Sequence, residues 1–197
     1  MSFDKFCDLI LHHEGGYVFD KNDPGGETIY GISKRHHPKA WEKGRPSVAQ
    51  AKAIYKRDYW GHGRLQCAKL HPAIALNVFD SAVNQGVRRA AMILQDALDV
   101  TQDGYIGPVT VKAANKNPKR TIERFTALRI KAYSGLGKIW EHYHEGWMVR
   151  VLRTYEESLK EFNPQTKGEK DGKSKKQDQG TSKESVARKK STKKKDS

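Results

Sequence analysis

Apolar residues recur at three- and four-residue intervals in successive stretches of helix length, each closed by glycine or proline. That pattern restricts the chain to helices packed around a common core. Phe3, Phe6, Cys7 and Ile10 mark a first helix, with Ser2 able to cap it and Gly15-Gly16 to stop it. Residues 17–33 break the period. Asn22-Asp23-Pro24-Gly25-Gly26 precedes β-prone Thr28, Ile29 and Tyr30, which predicts an irregular loop with a small hairpin. Ser47 with Gln50 forms a capping box for a second helix running to about Trp60. Pro72 opens a third, with Ile74, Val78, Phe79, Ala82 and Val83 on one face and Gly86 as its stop. Further helices are expected over 87–98, from Pro108, over 118–134 and over 138–162. The last carries Trp140, Tyr143, Trp147, Val151, Tyr155, Leu159 and Phe162. A stripe at this spacing packs in a core more often than it stacks on carbohydrate, and core is the assignment made here.

After Pro164 the character changes. Residues 165–197 hold 12 Lys/Arg, 5 acids and only Val186 and Ala187 as apolar residues, so they are expected to be a disordered, Lys-rich tail. The tail carries +7 of the chain's net +14, and the body the other +7. A flexible polycation of this kind can meet anionic wall polymers or a membrane surface. It lacks the aromatics that interleave with bases, so no specific nucleic-acid partner is expected. No apolar run reaches the roughly 20 residues of a membrane-spanning helix. The first residues, MSFDKFCDLILHHEGG, do not read as a secretory signal. The expectation is a protein of the producing cell's cytoplasm that acts on the wall after release or dedicated export. Cys7 and Cys67 are expected to be free thiols in a monomer.

Glu14 stands out chemically. Positions 3, 7, 10 and 14 share one helix face, and the first three are Phe3, Cys7 and Ile10, so a carboxylate continues an apolar stripe. It also falls at the helix C-terminus, the negative end of the dipole. Desolvation and the dipole both disfavour its charged form and would raise its pKa. A carboxylic acid kept protonated near neutral pH is what glycosidic cleavage requires of its general acid. Nine residues on, Asp23 lies in a polar glycine-rich loop where a carboxylate stays ionised, and contrasted carboxylates divide acid and stabilising roles. Thr28 could position a water. Tyr17, Tyr30 and Trp60 could stack on sugar rings, or pack in the core. Asn84, at the end of the third helix, could hydrogen-bond N-acetyl groups. His12-His13-Glu14 cannot all face one ion from a regular helix, and the spacing of zinc hydrolases is absent, so no metal site and no cofactor are expected.

Glu14-Gly15-Gly16-Tyr17-Val18, then Asp23-Pro24-Gly25-Gly26-Glu27-Thr28, then Tyr30-Gly31-Ile32-Ser33 resembles the signature of glycoside hydrolase family 108. The resemblance implies an N-acetylmuramidase of the type found in phage endolysins and secretion-associated lysins, with Glu14 as catalytic acid. The order Glu, Asp, Thr is also similar to that of phage-type lysozymes, with one residue fewer between Asp23 and Thr28. Asn84-Gln85-Gly86, Leu94-Gln95-Asp96-Ala97-Leu98 and Asp103–Thr110 resemble the peptidoglycan-binding region that follows in this family. The implied organisation is a muramidase region over 1–86, a helical peptidoglycan-binding region over 87–164 packed into the same core, and the tail. The implied fold is mainly α, lysozyme-like, with a small irregular or β element near the N-terminus. The rival readings are a non-catalytic wall-binding or assembly protein and, on charge alone, a basic nucleic-acid-binding protein.

Overall fold

The computed structural model describes residues 3–14, 16–19 and 26–162, with only the backbone described at His13 and Glu14. The expected tail, Ser2 and Asp23 lie outside the described residues. Helix α1 spans Phe3–Glu14 and buries Phe3, Phe6, Cys7, Ile10 and Leu11. Three short antiparallel strands follow: β1 (Val18–Phe19), β2 (Glu27–Ile29) and β3 (Ile32–Ser33), in that spatial order. Tyr30 and Gly31 make the β2–β3 turn with φ of 53° and 71°, both in the left-handed region that a two-residue hairpin of primed type demands. A tyrosine in that conformation needs support. Tyr55 supplies some by donating its hydroxyl to the Tyr30 carbonyl at 3.0 Å.

Helix α2 (Val48–Tyr55) opens with the reciprocal Ser47–Gln50 capping box. The α-helical ladder stops five residues before Trp60, because Lys56–Trp60 widens into a π-type turn closed by Gly61 N donating to Lys56 O at 2.7 Å. That turn sets Trp60 against Phe3, Phe6 and Phe79, with ring centroids 5.5–5.9 Å apart.

Helix α3 (Pro72–Gln85) is the centre of the molecule: every residue from Ala73 to Ala82 is buried. Helices α4 (Val87–Ala97), α6 (Pro118–Ser134) and α7 (Lys138–Leu159) pack around it, with α5 (Pro108–Ala114) between α4 and α6 in sequence. Gly86, at φ 91° and ψ 148°, makes the α3–α4 corner. Burial all round α3 forces its one acid, Asp80, to find partners inside. Arg129 of α6 lies 2.7 Å from Oδ2 and Arg150 of α7 2.9 Å from Oδ1. Burial alone would raise Asp80, but the two guanidiniums outweigh it and hold the carboxyl below its usual range.

Buried Gln95 organises the turn between α4 and α5. Its amide donates to Asp103 Oδ1 at 2.6 Å and to the Tyr105 carbonyl at 2.9 Å, and its oxygen accepts from Gly104 N. The aromatic stripe of α7 divides. Val151 is buried, and Tyr155 and Phe162 pack on the core. Tyr143, however, is 55% exposed, and Trp140 and Trp147 are half-buried. The core assignment therefore fails for the first turns of α7 and for exposed Leu159 at its end. At its start the helix leaves the turn at Gly137 with nearly every residue exposed, and meets α6 where Trp147 stacks on Tyr133.

Candidate active site

The apolar stripe that Glu14 continues is anchored. Phe6, Cys7 and Ile10 are buried to within 1%, the Phe3 ring meets Phe79 of α3 at 5.9 Å, and Asp8 pairs with Lys52 of α2 at 2.6 Å. These contacts fix the axis of α1, and hence where its last residue, Glu14, leaves the helix. The chain then enters the three-stranded sheet at Val18.

Within that sheet Thr28 is the middle residue of the middle strand, opposite Val18 on one side and Ser33 on the other. Ile29 pairs with Ile32, which is 1% exposed. Neighbouring strand residues point to opposite faces, so Thr28 and Ser33 lie on the face away from Ile32. Tyr17, 38% exposed, is held at both its polar and its apolar surfaces. Its hydroxyl donates to Glu27 Oε1 at 3.0 Å, and the Arg45 guanidinium covers one ring face at 3.6 Å. Glu27 also receives Lys34 at 2.7 Å. The Lys34 hydrogen bond, and then that of Tyr17, hold its carboxyl below the ordinary range, so Glu27 is a fixed negative charge at neutral pH.

Thr28 thus lies within the small sheet, with Tyr17 immediately ahead of β1 and Tyr30 in the β2–β3 turn. Trp60 packs into the aromatic cluster with Phe3, Phe6 and Phe79. Its remaining surface lines a hollow with Gln66 and Tyr105. Asn84 is elsewhere, on the last turn of α3, where its side-chain oxygen accepts the hydroxyl of Tyr133. The Glu27–Tyr17–Arg45 arrangement was not anticipated. Glu27 precedes Thr28 in the motif and Lys34 lies seven residues on, a hairpin separation that hints at the ion pair. Nothing in the sequence announces Arg45. Among the described residues no group of three or more His, Cys, Asp or Glu is placed to hold a metal ion.

A mainly helical body with a small three-stranded sheet directly after its first helix is a lysozyme-like architecture. The family described as Glycosyl hydrolase 108 matches residues 7–86. The solved structure of SagA from Brucella abortus is 32% identical, with a TM-score of 0.67, over 80% of this chain and 93% of that one. No curated protein matches. The chain belongs to glycosyl hydrolase family 108, and as such is a lysozyme-like peptidoglycan hydrolase.

Proposed function

We propose that the protein is an N-acetylmuramidase that cleaves the β-1,4 bond between N-acetylmuramic acid and N-acetylglucosamine. The carrying observation is the seating of Glu14: the last residue of a helix whose apolar face is buried, immediately ahead of the sheet, inside the family-matched segment. In this reading Glu14 protonates the leaving glycosidic oxygen. Asp23 stays ionised and steadies the oxocarbenium charge or orients water, with Thr28 assisting. Tyr17 offers its uncovered ring face to sugar, since Arg45 and Glu27 lock it in place without using up its exposure. Tyr30 shapes the hairpin, and Trp60, packed on Phe3, Phe6 and Phe79, offers its remaining surface to the saccharide. A region over 87–164 would bind peptidoglycan, and the basic body and tail would concentrate the enzyme at an anionic wall. The protein would wait, as a monomer, in the producing cytoplasm until release or export.

The test is reducing-end release from purified peptidoglycan by wild type and by Glu14→Gln. New muramic acid reducing ends from wild type alone support the reading. New N-acetylglucosamine ends, or equal release by both proteins, would overturn it.

A further inference from the structure

Helix α7 leaves the turn at Gly137 with an apolar edge open to solvent. Ile139 is 54% and Tyr143 55% exposed, and Leu136 in the turn itself is exposed too. Ile139 and Tyr143 stand four residues apart on one side of the helix. Glu141 and Glu145, each two residues further on, fall about 200° away, on the opposite side. The ring faces here are taken. Trp147 lies between Tyr133, at 4.7 Å, and Tyr143, at 5.8 Å, and His142 meets Tyr143 edge-on at 4.5 Å. What these rings leave open is their edges. The apolar edge continues into a basic groove. Leu136 and Trp147 border a hollow of about 250 Å³ that shares Gln85 and Arg89 with a groove of about 790 Å³. Val87, Met92, Ile93 and Leu128 give that groove apolar surface, and Arg88, Arg89 and Lys131 outnumber its one acid, Asp96. Arg89 donates to the Ala132 carbonyl at 3.2 Å, which holds it at the junction of the two hollows.

Apolar and aromatic edges beside a cluster of cations match the boundary between anionic headgroups and acyl chains. Other occupants fit less well. A two-fold dimer through this face would bring like cations together on chains of net +14, and the Lys-rich tail, at +7, has the same sign as the groove. A saccharide would need the ring faces that Tyr133, Trp147, Tyr143 and His142 take from one another. Among the described residues no helix is long and apolar enough to cross a membrane, so the contact is with its surface. We infer that the α6–α7 turn and the α4 groove seat the protein on an anionic lipid bilayer. Leu136, Ile139 and Tyr143 enter the headgroup–acyl boundary, and Arg88, Arg89 and Lys131 pair with lipid phosphates. This surface is separate from the tail, and it stands whether or not the muramidase reading does.

The experiment mixes the full chain with vesicles of equal parts phosphatidylglycerol and phosphatidylcholine, brominated on their acyl chains, and with brominated phosphatidylcholine alone. Binding is read by sedimentation, and insertion by quenching of tryptophan emission, since Trp140 adjoins Ile139 and Trp147 stacks on Tyr143. The anionic vesicles should bind and quench, and part of the binding should survive salt that screens the tail. Ile139→Ser and Tyr143→Ser should each weaken binding by about fivefold, the scale of a partly buried apolar side chain, and cut the quenching. Arg88→Gln and Arg89→Gln should each cost about fivefold and flatten the salt dependence. If circular dichroism shows that Tyr143→Ser disturbs the fold, Ile139→Ser carries the test alone. Sedimentation without quenching would assign the lipid contact to the tail and overturn the inference. So would failure to bind the anionic vesicles, undiminished binding by folded Ile139→Ser, or self-association through this face without lipid affinity.

Discussion

Glu14 is singled out in sequence because helical spacing continues the stripe of Phe3, Cys7 and Ile10 to a carboxylate at the end of α1. Glu14→Gln keeps the size and should lower turnover by about 10²–10⁴-fold, the usual contribution of positioned proton transfer, with an unchanged circular dichroism spectrum. Asp80 is the opposite case. Between Phe79 and Ser81 it sits in an apolar run with nothing to mark it, because its partners come from Arg129 and Arg150, far along the chain. Arg129 is itself buried, and its Nε and Nη1 have no hydrogen-bond partner among the described residues. Asp80→Asn would strand these cations, and denaturant unfolding should record a loss of about 3–5 kcal/mol. The Tyr17–Glu27–Arg45 contacts escaped sequence reading for the same reason: they join residues by strand pairing and loop return, not by period.

Most element boundaries were readable because their signals are local. The capping box at Ser47, Pro at the first position of α3, α5 and α6, and Gly86 after α3 all act within a few residues. What was not local was missed. The π-type turn at Lys56–Trp60 follows from seating Trp60 against α1 and α3, and the exposed start of α7 from how far its neighbours extend. The turn after α4 gives an element-scale prediction. Gln95→Ala removes three hydrogen bonds from a buried position and leaves Gly104 N–H without its acceptor, so stability should fall by about 2–3 kcal/mol, measured by denaturant midpoint. Gly86 has no neighbour within 4 Å of where a Cβ would stand, so Gly86→Ala isolates the backbone cost of φ 91°, about 1–3 kcal/mol in a thermal melt.

At the scale of the molecule, the shifted groups of the described residues that titrate below neutral pH pull one way. Asp58, Asp80, Asp99, Asp103 and Glu27 are held below their usual values by hydrogen bonds and cations, and His37 and His71 are pushed down by burial. In each case the unfolded chain binds protons at a pH where the folded one does not. The histidine contribution should start to fade as pH drops through about 6.5, and the carboxylate contribution as it drops below about 4. The melting temperature should therefore decline in two steps on acidification; a rise anywhere in that range would contradict the assignment. Ending the chain after Pro164 removes +7 and almost no apolar residues. It should leave the melt unchanged and reduce lysis of intact walls at low salt, with the difference closing as the screening length shrinks to roughly 8 Å at physiological ionic strength. The central position of α3 also bears on inheritance. The family match ends at residue 86, one residue past a helix whose buried acid is balanced from α6 and α7. A recombination joining residue 86 to a foreign second half would deliver that acid without its cations, so the two halves are bound to descend as a pair. Among relatives, changes at positions 80, 129 and 150 should arise together.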